Sequence, residues 1–115
     1  MSVTIYHNPR CSKSRQTLEI LESRSIEPAI VEYLKTPPSP DELKRILSML
    51  GIGARDLLRT KEPEYKELGL DDLSLSEDVI IKAMVETPRL IERPIVVKDG
   101  KAVIGRPPEQ VIDIL

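Results

Sequence analysis

Val3-Thr4-Ile5-Tyr6-His7-Asn8-Pro9-Arg10-Cys11-Ser12-Lys13-Ser14-Arg15 is the stretch from which the fold is read. Val3 to Tyr6 alternate in type and favour extended backbone, so they read as a strand, and His7-Asn8-Pro9-Arg10 breaks it. From Ser12 the pattern turns helical: Leu18 and Leu21 are three apart and Ile20 widens the apolar face, until about Arg24. A cysteine therefore stands between the end of a strand and the start of a helix.

Working outward, Ala29 to Leu34 reads as a second strand, stopped by Thr36-Pro37-Pro38-Ser39. The next helix has Ser39 as N-cap, Pro40 at its first position, Glu42 three residues after the cap and Gly51 just past its end, with Leu43, Ile46, Leu47 and Leu50 as its core face. Short helical pieces are expected around Leu57 and Leu58 and from Tyr65 to Leu68. Ser74 with Glu77 suggests a capping box opening a helix through Val79, Ile80, Ala83 and Met84, which must end before Pro88. Ile95-Val96-Val97-Lys98 and Lys101-Ala102-Val103-Ile104 flank Asp99-Gly100, the dipeptide of a two-residue hairpin turn. A last helix runs from Pro107 to about Leu115. A helix crossing between the first two strands favours their parallel pairing, while the hairpin is antiparallel, so the sheet is mixed. This order predicts one α/β domain over residues 1–115. It is thioredoxin-like, with about four strands, helices on both faces and a helical insertion at about 39–86.

The composition sets bounds. The chain has 115 residues, 40% hydrophobic and 31% charged, as an ordinary globular domain has. A net charge of -2 and three Tyr as the only aromatics leave little for a nucleic-acid surface, so an anion site must be a local cluster and no nucleic-acid partner is expected. No apolar run approaches a spanning helix and no leader pattern opens the chain, so a cytoplasmic protein without a membrane partner is expected. One cysteine forms no internal disulfide and no cysteine-based metal cluster.

A lone cysteine is ordinarily a small buried hydrophobe. Here it lies at a helix N-terminus, where unpaired N–H groups favour negative charge, amid Arg10, Lys13, Arg15 and the hydroxyls of Ser12 and Ser14. All of these lower a thiol's pKa, which a nucleophile needs. His7 either helps to ionise the thiol or fills a surface or capping role. Ser14 stands where a dithiol oxidoreductase would need its second cysteine, and Thr17 where a cysteine phosphatase would carry arginine. A partner thiol must therefore resolve any disulfide formed at Cys11, and phosphate-ester hydrolysis is the weaker reading.

The segment IYHNPRCSKSR, Ile5 to Arg15, resembles the opening of the glutaredoxin-dependent arsenate reductases. Leu57-Leu58-Arg59, Arg93-Pro94-Ile95-Val96-Val97 and Gly105-Arg106-Pro107-Pro108-Glu109 resemble that family's later motifs in the same order. The resemblance implies a thioredoxin-like, glutaredoxin-like fold. It makes Cys11 the nucleophile, sets His7 near it and Ser14 as a hydroxyl close to the thiolate, and gives Arg59, Arg93 and Arg106 the oxyanion. It also implies a cis peptide before Pro94. The activity implied is reduction of arsenate to arsenite, an arsenic-detoxifying oxidoreductase chemistry, with glutathione as co-substrate, glutaredoxin as partner and no bound cofactor or metal. Lys13 departs from the small or hydroxyl residue expected there, and the chain stops right after its last helix, which looks like a shorter branch of the family. Two other readings share the fold: a glutathione-dependent thiol-disulfide reductase or deglutathionylase, which needs no arginine trio, and a non-catalytic interaction protein.

Overall fold

A computed structural model describes residues 2–115, which divide into two compact units. One comprises the N-terminal residues up to Thr36 together with Arg93–Leu115, and the other is Pro37–Glu92.

The first unit holds the sheet. Its elements are β1 (Val3–Tyr6), helix α1 (Ser12–Ser23), β2 (Ala29–Val31), β3 (Ile95–Lys98), β4 (Lys101–Ile104) and a 3-10 helix, Pro108–Ile114. The strand order is β2-β1-β3-β4. Through α1, β1 pairs parallel to β2, with Ile5 opposite Ile30, and it pairs antiparallel to β3, with Ile5 opposite Val96. The hairpin turns at Asp99 and Gly100, whose φ values of 51° and 77° are both positive, as its tight two-residue turn requires. This is the mixed, four-stranded sheet of a thioredoxin-like fold.

Val3, Ile5, Leu21, Val96 and Val111 form the core here, joined by Leu18, Ile20 and Ile26 at its margin. Each fully buried aliphatic of this kind contributes roughly 1.5–3 kcal/mol. The buried face of α1 is Ser14, Thr17 and Leu21, so two of its three positions are hydroxyl residues that apolar spacing does not reveal. Thr17 meets its burial by donating from Oγ1 to the Lys13 carbonyl at 2.8 Å.

Two elements differ from expectation. β2 ends at Val31 rather than Leu34, because Lys35 and Thr36 both donate backbone N–H groups back to the Glu32 carbonyl and close a turn. The last helix is 3-10 rather than α: Gln110 donates to Pro107 and Leu115 to Ile112, three residues back. That winding stacks i and i+3, which sets Val111 and Ile114 on the same core-facing side.

Gly105, just after β4, is a point of close approach. A Cβ built there would lie 2.6 Å from Thr17 Oγ1 and 2.8 Å from Pro94 Cγ. Gly105→Ala is expected to destabilise the protein by about 1–3 kcal/mol, the usual cost of overpacking. Equilibrium denaturation checks this, and a midpoint unchanged from wild type contradicts it.

The second unit is helical, with α2 (Pro40–Leu50), α3 (Ala54–Leu57), α4 (Pro63–Glu67), α5 (Glu77–Glu86) and a 3-10 turn, Pro88–Leu90. Ser39 caps α2 by accepting from Glu42 N–H, and Gly51 ends it at φ 71°. Leu43, Ile46 and Leu47 are buried there, while Leu50 sits at the margin. The expected box of Ser74 with Glu77 does not form. Ser76 caps α5 by accepting from Val79 N–H. Ser74 is taken by Asp72, whose Oδ1 accepts from both its N–H and its hydroxyl, and Glu77 instead accepts from Ala54 N–H at 2.7 Å. Leu58 and Ile91 form an isolated antiparallel bridge that ties the loop after α3 to the end of the unit.

Candidate active site

Tyr6 ends β1, and the chain turns through His7 to Arg10 before α1 begins. Asn8 shapes that turn: its Oδ1 accepts from Arg10 N–H at 3.0 Å, and its carbonyl accepts from Cys11 N–H at 3.0 Å. Cys11 is then the N-cap of α1, in extended backbone, with no acidic residue in the first turn to compete for the helix's free N–H groups. The sulfur is partly exposed, as a reacting group must be.

Burial pushes the Cys11 thiol up. It is outweighed by the Ser14 backbone N–H, by a hydrogen bond from Arg93 and that guanidinium's charge, and by the Lys13 backbone N–H, so the thiol sits below its usual value. Arg106 also reaches the sulfur, its Nη2 donating at 3.9 Å while its Nε donates to the Arg93 carbonyl at 2.8 Å. The two arginines that bracket the hairpin thus converge on one atom. The basic side chains within the cysteine's own segment act differently: Lys13 contributes its N–H, and Arg15 donates to the Pro9 carbonyl at 3.0 Å. Both Arg93–Pro94 and Arg106–Pro107 are cis peptides, of which the first alone was expected.

His7 and Ser14 are buried and linked. Ser14 Oγ accepts from Asn8 N–H at 3.0 Å and shares a 2.6 Å hydrogen bond with His7 Nδ1, whose direction follows the imidazole tautomer. Burial lowers the His7 pKa, Glu32 opposes this and Arg15 adds to it. A neutral imidazole results near pH 7, so His7 supplies no cation to the sulfur. Ser14 serves the thiol through its backbone N–H, while its hydroxyl is directed to His7 and Asn8.

Arg59 belongs to the helical unit, where Glu92 accepts from its Nη1 at 2.8 Å and Glu62 lies 3.4 Å from its Nε. The structure therefore brings Cys11, His7, Ser14, Arg93 and Arg106 together in the sheet unit and pairs Arg59 with carboxylates in the helical one. Sequence reasoning passed over Asn8, Glu62 and Glu92. The Asn-Pro pair signals a turn and so pointed toward Asn8; nothing local singles out the two glutamates. A surface cavity of about 550 Å³, lined by Leu18, Glu22, Ser25, Ile26 and Ile30 among others, lies at the far end of α1 from Cys11. Among the described residues no helix is long and apolar enough to cross a membrane.

Known proteins are similar to this chain over most or all of its length. The model of the ArsC family matches residues 6–114. An arsenate reductase of Haemophilus influenzae is 53% identical over 116 residues, covering all of both chains. The uncharacterized protein YfgD of Escherichia coli K12 is 58% identical over 98% of this chain and 96% of its own. A solved arsenate reductase from Vibrio cholerae superposes with a TM-score of 0.98 at 57% identity, covering 100% of this chain and 98% of that one. With its sulfur between two hairpin arginines and its match unbroken from Tyr6 to Ile114, the chain belongs to the ArsC family.

Proposed function

We propose that this protein is an arsenate reductase that draws its electrons from glutathione and is recycled by glutaredoxin. The observation that carries the reading is the convergence of Arg93 and Arg106 on the Cys11 sulfur. A guanidinium binds a tetrahedral oxyanion through forked N–H donors and offsets the repulsion between thiolate and anion. The relatives named arsenate reductase support the substrate.

The Cys11 thiolate attacks arsenic, an S–As bond forms, and an oxygen leaves as water after protonation. Arg93 and Arg106 hold the remaining oxygens, with Arg59 as the third oxyanion-binding arginine by family resemblance. Glutathione then attacks, and the Cys11 and glutathione sulfurs give up the two electrons that take arsenic from the +5 to the +3 state. Arsenite departs and Cys11 is left in a mixed disulfide with glutathione. Since the chain has one cysteine, no second thiol of its own resolves that disulfide, and an external thiol must. Glutaredoxin suits this step because its thiol attacks the glutathione sulfur. The cytosol, where glutathione is kept reduced, is the compartment this chemistry requires.

The test is a coupled assay with arsenate, in which either glutathione with glutaredoxin or thioredoxin with its reductase supplies the electrons. Turnover is expected with the first system and not with the second. Turnover sustained by thioredoxin alone overturns the glutathione step, and no arsenite from either system overturns the reaction.

A further inference from the structure

A second cavity lies beside the catalytic loop, within the sheet unit. Its volume is about 210 Å³, and it is lined by His7 to Arg10 from one segment and by Glu32, Leu34 and Lys35 from another. Backbone hydrogen bonds hold both walls: His7 N–H donates to the Val31 carbonyl at 2.8 Å, Lys35 N–H to the Glu32 carbonyl at 2.9 Å and Arg10 N–H to Asn8 Oδ1 at 3.0 Å. The cavity is therefore shaped before a ligand enters, and binding orders no loop there.

Its lining carries three charged side chains besides the imidazole. Glu32 and Lys35 stand 3.6 Å apart, with side chains 42% and 79% exposed. An ion pair that exposed adds little to the fold and opens readily to a ligand. Arg10 is exposed, and among the described residues its guanidinium enters no hydrogen bond or ion pair. Nor does the sulfur employ it, since Arg93 and Arg106 are the arginines that reach Cys11. Pro9 and Leu34 add apolar surface to the same cavity.

Two cations and one carboxylate are the complement of glutathione, which carries two carboxylates and one ammonium. The match extends to their arrangement. The γ-glutamyl end holds its ammonium and carboxylate on one carbon and so needs an acceptor and a cation side by side, whereas the glycine end holds a carboxylate alone. Resting on the reading of glutathione as the electron donor, we propose that this cavity is the glutathione site. Glu32 and Lys35 receive the γ-glutamyl head, and Arg10 grips the glycine carboxylate with its forked donors. The cysteine of glutathione is one residue from its glycine, as Cys11 is from Arg10, so this anchoring brings the incoming thiol to the side of the reacting sulfur.

The experiment follows a single turnover with arsenate and glutathione, without glutaredoxin, so that no second glutathione-using protein contributes. Arg10→Ala, Lys35→Ala and Glu32→Gln are each expected to raise the half-saturating glutathione concentration about fivefold, the upper range for one exposed ion pair. The plateau rate and the half-saturating arsenate concentration should stay at their wild-type values. Arg10→Lys, which keeps the charge, should recover part of the loss. Truncated donors assign the two ends. With the glycine ethyl ester of glutathione, Arg10→Ala should add no further loss while Lys35→Ala still does, and with cysteinylglycine the order should reverse. Unreactive S-methylglutathione should shift the amide resonances of residues 7–10 and 32–35 in the resting protein.

If glutathione drives the reaction and the Arg10 and Lys35 variants half-saturate where wild type does, the site is refuted and the donor stands. A rise in half-saturating arsenate in place of glutathione gives Arg10 to the oxyanion and also refutes it. If wild type makes no arsenite from glutathione, the donor reading fails. S-methylglutathione that then leaves residues 7–10 and 32–35 unshifted overturns the site as well, whereas shifts confined to them uphold it.

Discussion

Cys11→Ser is expected to lower glutathione-dependent arsenate reduction by about 10⁴-fold or more, the scale on which deletion of a covalent nucleophile acts. The replacement oxygen is nearly the same size but remains a neutral alcohol at any pH the protein survives. The N–H groups of Ser14 and Lys13 and the Arg93 guanidinium that stabilise an anionic sulfur would have no anion to hold. The fold should not suffer. Cys11 is an N-cap without a side-chain hydrogen bond to the helix, and serine is among the preferred residues there, so the variant's unfolding midpoint should be no lower than wild type. A folded variant that still turns over at a comparable rate would remove Cys11 from the mechanism.

Arg93→Ala is expected to reduce kcat/KM by about 10²–10³-fold, the usual effect of removing one preorganised oxyanion donor. Two losses combine in it. The thiol loses its principal side-chain stabiliser, so the pH at which Cys11 becomes half reactive toward an alkylating agent should rise. The anion loses a forked donor as well. Arg93→Lys separates the two: a lysine ammonium keeps the charge and restores much of the alkylation midpoint, but it cannot grip two oxygens, so kcat/KM should recover only in part. Kinetics for Arg93→Lys equal to wild type would refute bidentate recognition.

The readable parts of the sequence are those where one local rule decides. Asp99-Gly100 demands positive φ at both residues and so fixes the hairpin. Ser39, Pro40, Glu42 and Gly51 punctuate α2 at both ends because each meets a backbone need of its own turn. The strand, cysteine and helix order of residues 3–15 is equally local, as is the placing of Cys11 at a helix end. What escaped was decided by distant partners. Ser74 has the spacing of a cap, but Asp72 engages it and Ala54 engages Glu77, so Ser76 takes over. Ser14 and Thr17 lie on the buried face of α1 because His7, Asn8 and the Lys13 carbonyl satisfy their hydroxyls, and apolar periodicity has no sign for that. The arginine that stabilises the sulfur is 82 positions away along the chain, at Arg93, not among the basic residues beside it. Family resemblance supplied that position; composition and spacing alone did not.

The start of α1 also bears on what happens after the sulfur reacts. α2 and α5 each carry their own serine cap and two acidic residues in the first turn, so they arrive electrically finished. α1 has neither and relies on whatever anion occupies its tip. Once the sulfur is tied up in a neutral adduct, that end of the helix is left with donors facing nothing charged, and it favours whatever returns the negative charge. Regeneration of the free thiolate is thereby assisted by the helix itself, which acts as a spring at the close of each turnover.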